Sequence, residues 1–560
     1  MPDEQRTTEK KINTKYIFVV GGVMSGVGKG VAASSIAHLL QARGLSVTAV
    51  KIDPYVNVDA GTMNPTEHGE VFVLKDGLET DQDMGNYERF LNADIPSINY
   101  MTTGSIYQEV IRKERGLEYG GKNEEVVPGI PLEVIRRIKT AGETAHADVV
   151  ITEIGGTVGE YQNILFLEAV RMMKYETPHD VGVILVSYLP VPGSIGEMKT
   201  KPTQYAARTL NSTGVFADMI LARAPVALDD KRKEKIATVC NIRPDCVISA
   251  PDLKSIYDVP LNFEKDNLSE KLCEILSITT HNPHADLTQW ESFVAKSKNT
   301  TGVVKIAVVG KYFDSGDFVL SDVYISVLEA IKYAAYYTGV KPEIDYISAI
   351  QFEQGTPASI LDAYDGVLMP GGFGTTGVPG MLIAINYVRE HHIPYFGICY
   401  GMQLAVIEYA RAVLGYADAS SAEIDPQSTH LVIDIMPEQK EKIAKQKMGG
   451  TMRLGEYPAA LTQGSIAQTA YGTDTISERH RHRYEVSPVY VDELTKGGLT
   501  FSGTSPDGRL MEIMELPESQ HPFFVGVQFH PEFHSRPLSP HPLFMAFITA
   551  AKTHRKIDSR

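Results

Sequence analysis

Two kinds of hydrophobic spacing alternate along this chain. Short apolar runs with no polar face, YIFVV at Tyr16–Val20, DVVIT at Asp148–Thr152 and VGVILVS at Val181–Ser187, read as strands buried on both faces of a parallel sheet. Between such runs lie segments whose apolar residues fall three and four apart. In Val31–Arg43, Ile36, Leu39 and Leu40 share one helix face, and Gly44 fits the C-terminal cap. The same grammar returns at Val303 (VVKIAVVGKY), Gly366 (GVLMPGGFG) and Pro394 (PYFGICYGMQLAVIEYA). Strand–helix alternation in both halves predicts an α/β protein with two doubly wound parallel-sheet domains.

The 560 residues exceed one hydrophobic core, which stops growing at about 250–300 residues. The strand rhythm lapses over His281–Gly302, so the expected layout is a tail over 1–14, a domain over 15–280, a linker over 281–302, a domain over 303–552 and a tail over 553–560. The hydrophobic fraction of 43% excludes a mainly disordered chain. Fifty-three basic against 69 acidic residues argue against a nucleic-acid partner held by broad phosphate neutralisation. Four cysteines (Cys240, Cys246, Cys273, Cys399) are too few and too unevenly spaced for a disulfide framework or a thiolate zinc site. The polar N-terminus has no secretory apolar core, and no run reaches the ~18 apolar residues of a membrane span. A cytoplasmic protein with no membrane partner is expected.

GGVMSGVGKG at 21–30 stands between the first strand and the first helix. Glycines there let backbone N–H groups converge on phosphate oxygens, the helix N-terminus favours an anion, and Lys29 adds charge. Val23 takes the first glycine position of the usual pattern, and Gly30 stands where a hydroxyl would touch Mg²⁺. Any magnesium therefore needs carboxylates from elsewhere. The acidic residues Glu70, Asp76, Glu79, Asp81 and Asp83 read, on composition, as a solvated loop. Glu153 ends an apolar strand, followed by a flexible Ile154-Gly155-Gly156-Thr157, where open α/β sheets bind ligands.

In FGICYGMQ at 396–403, small residues flank Cys399 between a strand and a helix start, a setting that permits a strained turn and lowers a thiol pKa. QFHPE at 528–532 supplies His530 as base, with Glu532 two residues on and on the same face to orient it. The Pro370-Gly371-Gly372-Phe373-Gly374 turn offers N–H groups to an oxyanion. A lone cysteine reads as structural; these three pieces together read as a nucleophile.

With these residues in view the chain resembles the CTP synthase family from about Lys15 to Ala551. The matching runs include KIDPY-x-NVD-x-GTM-x-P, HGEVFV, YERF, EIGGTVG, GE-x-KTKPTQ, PGGFG, GIC-x-GMQ, GGTMRLG, ERHRHRYEV and QFHPEF. The resemblance implies a P-loop-like amidoligase domain followed by a class I glutamine amidotransferase domain. It implies ATP-dependent phosphorylation of the UTP 4-oxygen and displacement by ammonia from glutamine, with Mg²⁺, a shielded ammonia passage and a homotetramer. By the same resemblance Ser25, Gly26, Val27, Gly28, Lys29, Gly30 and Asp83 would bind ATP. Lys29 and Lys51 would steady the triphosphates, and Asp83 and Glu153 would hold Mg²⁺. Ser25, Glu160, Gln162, Lys199, Thr200, Lys201, Pro202, Thr203, Gln204 and Lys235 would meet the pyrimidine nucleotide. Cys399, His530 and Glu532 would form the glutaminase triad. Gly372, Tyr400, Gly401, Met402, Gln403, Glu423 and Arg483 would hold glutamine, whereas Arg479–Arg483 (RHRHR) reads on charge alone as a solvated patch.

Three departures stand out against the family pattern. Glu160-Tyr161-Gln162 replaces the family's Asp-Ile-Glu, removing a ribose-hydroxyl acceptor at Gln162. Glu125 and Gly129 stand where the family has glutamine and histidine. Thr376 replaces the arginine that assists GTP, an allosteric activator of the family. Weakened GTP stimulation and altered CTP feedback are expected. Two alternatives stay open, a paralog aminating another oxo-pyrimidine nucleotide and a non-catalytic filament or regulatory subunit.

Overall fold

The computed structural model describes residues 14–193, 196–280, 282–311, 321–435 and 452–558. The N-terminal tail before residue 14, His281 of the expected linker, the first three residues of GGTMRLG and the last two residues of the chain lie outside them. The chain forms two compact units. The first takes the chain up to Asp59 together with Asn86–Glu291, and the second takes Ala60–Gly85 together with the chain from Ser292 onward.

A seven-stranded, wholly parallel sheet forms the first unit, in the order Tyr100–Thr102, Val47–Asp53, Val149–Thr157, Lys15–Gly21, Val181–Tyr188, Met219–Ala224, Val247–Pro251. Phe18 and Val20 enter a core with the helices Val126–Thr144, Ile164–Glu176 and Lys201–Ser212. Ile17 and Val19, which the two-residue strand period turns the other way, are equally buried. Burial on both faces is the reason YIFVV shows no polar alternation.

The second unit carries a nine-stranded sheet that is mixed rather than parallel throughout. Val340–Ser348, Gly302–Gly310, Gly366–Met369, Tyr395–Ile398 and Phe524–Val527 run parallel. Met511–Glu515, Thr500–Thr504, Arg453–Leu461 and Thr475–His482 extend the sheet antiparallel. These added strands mix charged and apolar residues, so the search for continuous apolar runs passes over them.

Two stretches differ from their sequence reading. The expected linker contains a helix, Thr288–Lys298, whose Trp290 is fully buried and donates its indole N–H to the Tyr257 carbonyl at 2.8 Å. The acidic run is a hairpin, Val71–Val73 with Glu79–Asp81, belonging to the second unit. Its Glu70 and Glu79 are buried, Glu70 against the Ser326 backbone N–H and hydroxyl and Glu79 against Arg481 at 2.8 Å. Paired partners hundreds of residues away turn an apparently solvated acidic loop into a docked element. Among the described residues no helix is long and apolar enough to cross a membrane.

Candidate functional site

The glycine loop leaves the C-terminal end of the Lys15–Gly21 strand and enters the helix Lys29–Ala42. Gly28 is the helix N-cap in a left-handed conformation (φ 90°), and among the described residues neither a capping side chain nor a first-turn acid covers the helix N-terminus. Its first N–H groups are thus available to an anion. Ser25 and Gly26 are exposed, Val27 and Gly30 are buried, and Lys29 is buried with its ammonium donating to the Gly156 carbonyl at 2.9 Å. Beside Gly28 and Ala32 lies a small, mostly apolar slot of about 110 Å³, walled by Leu221, Pro251, Ile256 and Arg223. Sequence reasoning missed this slot, because its walls come from four separate stretches.

Lys51 and Glu153 are register partners on adjacent strands, 3.1 Å apart and both buried. Tyr87 donates to the other Glu153 oxygen, and Asp53 lies 3.7 Å from the Lys51 ammonium. Glu153 does not end its strand, which continues to Thr157. Gly155 permits this, since a Cβ there would press on the Ile52 carbonyl at 2.8 Å. Asp83 opens the helix Asp83–Leu91, its N–H bound to the Asp81 carboxylate at 2.9 Å. Among the described residues no group of three or more His, Cys, Asp or Glu is arranged to hold a metal.

The pyrimidine-site candidates are spread over three places. Thr200 and Thr203 are buried at the start of the Lys201–Ser212 helix, Thr203 accepting from Ser187 at 2.9 Å and Thr200 accepting from Gln204 at 3.2 Å. Pro202 occupies the first turn of that helix. Lys199 pairs with Glu197 at 2.6 Å, while Lys201 and Lys235 are exposed. Gln162 donates to the Glu160 carboxylate at 2.5 Å.

The thiol site follows from the parallel half of the second sheet. Tyr395–Ile398 lies between Gly366–Met369 and Phe524–Val527, and the C-terminal ends of these three strands carry Cys399, PGGFG and QFHPE. Cys399 sits at φ 50°, ψ −97°, a strained non-glycine conformation between the strand and the helix Tyr400–Ala412. His530 and Cys399 line one small cavity of about 70 Å³ with Gly371, Gly372 and Arg481. The His530 Nδ1 is 2.7 Å from Glu532, and its backbone N–H is held by the Arg479 carbonyl at 2.8 Å. Burial alone would lower the imidazole pKa, but the Glu532 carboxylate and the Cys399 sulfur outweigh it and push His530 up to about 10. The ring is thereby held ready to pair with a thiolate.

An adjoining cavity of about 250 Å³ is lined by Gly372, Gln403, Glu423 and Arg483, four of the seven glutamine candidates. The other three stand behind it. Tyr400 donates to the Gly374 carbonyl at 2.6 Å, Gly401 packs against the Met369 carbonyl, and Met402 is core. Glu423 accepts from the Gly374 N–H at 2.8 Å, and burial raises its carboxyl pKa. Lys311, unmarked by any motif, lies 4.3 Å over the Tyr400 ring and donates to Gly374; burial lowers it to about 8, with Glu423 opposing. The RHRHR run is not a solvated patch. Arg479, His480 and His482 are buried, because Arg479 donates to the Val73 carbonyl and His480 pairs with His482 at 3.0 Å.

The family model described as CTP synthase N-terminus matches residues 15–278, and that described as glutamine amidotransferase class-I matches residues 319–550. A CTP synthase of Synechococcus is 47% identical over 96% of this chain and 96% of its own. A CTP synthase of Halalkalibacterium halodurans is 48% identical over 96% of this chain and 99% of its own. A solved Trypanosoma brucei CTPS glutaminase domain with bound acivicin is 38% identical, covering 45% of this chain and 94% of that one at a TM-score of 0.40. Identity near half, sustained over nearly the whole of both chains, shows that this chain belongs to the CTP synthase family.

Proposed function

We propose that this chain is a glutamine-hydrolysing ligase that aminates UTP at its 4-position to give CTP, with ATP cleaved to ADP and phosphate. The observation that carries this reading is a strained thiol sharing its cavity with a carboxylate-paired imidazole, in a family member that also bears an uncapped, lysine-marked helix N-terminus.

In the glutaminase half-reaction the Cys399 thiol passes its proton to His530 and the thiolate attacks the glutamine carboxamide carbon. The carbonyl electron pair moves onto oxygen, toward the N–H groups of the Gly371-Gly372 turn. His530 returns a proton to the nitrogen, ammonia leaves, and a glutamyl thioester remains. Water, deprotonated by His530, then releases glutamate and restores the thiol. Glu532 fixes the ring throughout. Arg483 matches the α-carboxylate of the substrate. Glu423, whose carboxyl burial destabilises as an anion, matches its α-ammonium.

In the ligase half-reaction the UTP 4-oxygen takes the γ-phosphoryl group of ATP, ADP leaves, and ammonia then attacks C4 and expels phosphate. Lys29 and Lys51 offset the charge of the triphosphates, and the slot beside Gly28 suits a flat base next to the phosphate loop. Asp83 and Glu153, which belong to separate units, each carry the hard carboxylate oxygens that magnesium prefers. That ion, when bound, supplies Lewis-acid neutralisation of phosphate charge. Glu160 keeps a carboxylate able to accept from a ribose hydroxyl, a contact any ribonucleotide acceptor could make. Thr376, exposed and neutral, supports weak GTP stimulation. A cytoplasmic homotetramer with altered CTP feedback completes the proposal.

Product formation with glutamine and, separately, with ammonia tests the reading. Cys399→Ser should lower the glutamine-dependent rate at least ~1,000-fold and keep the ammonia-dependent rate. Unchanged glutamine consumption by Cys399→Ser would overturn the thiol mechanism. Failure to aminate UTP with ammonia, alongside amination of another oxo-pyrimidine nucleotide, would move the acceptor assignment.

A further inference from the structure

Gln528 is fully buried, although its amide carries two donors and an acceptor. It follows the Phe524–Val527 strand, and its backbone N–H is held by the Glu512 carbonyl at 2.8 Å. The two-residue period of extended chain puts Gln528 and His530 on one side, while Phe529 turns away into the core. The Cys399 N–H is tied to the Val527 carbonyl at 2.6 Å, so the thiol-bearing turn is fixed against the residue preceding Gln528.

The side-chain contacts fix which end of this amide faces the sulfur. Gln403 donates from Nε2 to the Tyr484 carbonyl at 2.8 Å. A carbonyl only accepts, so the Gln403 nitrogen must lie on that side. The same Nε2 is 3.2 Å from the Gln528 Oε1 and supplies its second hydrogen there. Gln528 is left with its own Nε2 turned to the Cys399 sulfur, 3.6 Å away. A neutral thiol is a weak acceptor, and a buried amide N–H given only that partner costs free energy. A thiolate is a strong acceptor. As a thiol the sulfur also directs its hydrogen to the Arg481 carbonyl, at 3.8 Å. Ionisation removes that contact and strengthens the one to Gln528.

We infer that Gln528 stabilises the Cys399 thiolate through its amide N–H, and that Gln403 is a positioning residue that fixes the orientation of this amide. The inference rests on Cys399 being the glutaminase nucleophile and deepens that reading. On ionisation the sulfur keeps its electron pair, its proton goes to His530, and Gln528 donates to the resulting anion without transferring a proton. The titratable and charged groups around the sulfur are Glu70, Arg481, His530 and Glu532 in its own cavity, with Glu423, His482 and Arg483 in the adjoining one. Gln528 adds a neutral donor to this set, so its effect is separable from theirs.

The test is the rate at which iodoacetamide alkylates Cys399 as a function of pH, without glutamine, on the full-length chain. Peptide mass distinguishes labelling of Cys399 from labelling of the three other cysteines. Gln528→Met keeps the volume and removes the donor. It should slow alkylation near neutral pH about tenfold and move the midpoint of the profile upward by about one unit. Glutamine kcat should fall with little change in KM. Gln528→Asn, which retains an amide, should recover part of the wild-type profile. Gln403→Met should shift the midpoint in the same direction by less, since it frees the Gln528 amide to turn. A wild-type alkylation profile in a Gln528→Met protein of unchanged melting temperature would overturn the inference. Should Gln528→Met fail to fold, the Gln403→Met profile decides alone, an unshifted midpoint counting against it. Glutamine turnover by Cys399→Ser would instead defeat the parent reading, and the alkylation profiles distinguish the two.

Discussion

A single backbone position sets the geometry of the thiol cavity. A Cβ added at Gly371 would stand 2.8 Å from the His530 Cε1 and 3.7 Å from the Cys399 Cβ. The imidazole cannot retreat easily, because Glu532 holds its Nδ1, Phe533 stacks on its face at 5.1 Å, and its backbone is bound to Arg479. Gly371→Ala should therefore displace the ring by a few tenths of an ångström or more and misalign the proton transfer. Glutamine-dependent product formation is expected to fall about 100-fold, with ammonia-dependent formation and melting temperature nearly unchanged. Steady-state rates with the two nitrogen sources check this, and a normal glutamine rate would show that the ring tolerates the methyl group. The contrast with Tyr400, Gly401 and Met402 is instructive. They share the same short motif as Cys399 and Gln403, yet helix geometry turns them away from the cavity.

Among the elements, the Val71–Val73 and Glu79–Asp81 hairpin shows how far sequence reading reaches. Glu70, just before it, accepts hydrogen bonds from the N–H and hydroxyl of Ser326, the second residue of the helix Ile325–Tyr337. A carboxylate at a helix N-terminus satisfies first-turn donors and opposes the helix dipole favourably. Glu70→Ala should thus destabilise the second unit by about 1–2 kcal/mol and expose the 60–85 segment to proteolysis, with Glu70→Gln intermediate. Calorimetry and limited proteolysis check this, and an unchanged cleavage pattern would mean the hairpin docks without Glu70. None of this was legible locally. The partners of Arg479 and Arg481, Val73 and Glu79, lie more than 400 residues away in sequence, so charge pattern alone returned a solvated acidic loop and a solvated basic patch. Legible elements had local signatures. YIFVV, GVLM and YFGI are continuous apolar runs, and Cys399 and His530 sit at strand ends with small or extended neighbours. Lys311 carried no such mark, and Gln528 was visible only as the first residue of the run that holds His530, because their chemistry comes from burial, which the surrounding fold imposes.

At the scale of the whole molecule, buried neutral histidines set how the protein responds to acid. Burial is the main cause that lowers His38 and His521 to about 4 and His482 to about 3, and it holds His480 well below its usual range. Each folded-state pKa lies below the unfolded value of about 6.5. The native state therefore binds fewer protons than the unfolded chain, and the stability these groups contribute is present above about pH 6.5 and lost as pH falls toward 4. His38 makes this measurable in the first unit. Its Nδ1 lies 3.0 Å from the Phe90 carbonyl, to which it donates, and its Nε2 is buried without a partner among the described residues. Protonation would place an unsatisfied charged N–H against the Trp290 ring, whose centroid is 4.2 Å away. Trp290 is the chain's single tryptophan, so its fluorescence follows this unit. The part of the urea-unfolding free energy due to His38 should fall by up to about 1.4 kcal/mol per pH unit between about pH 6 and about pH 4.5. His38→Phe keeps an aromatic ring against Trp290 and removes the proton site, so its unfolding free energy should decline less steeply by about that amount. Equal slopes for the two proteins would show that His38 is reached by water and protons in the native state, contrary to its buried, carbonyl-anchored position.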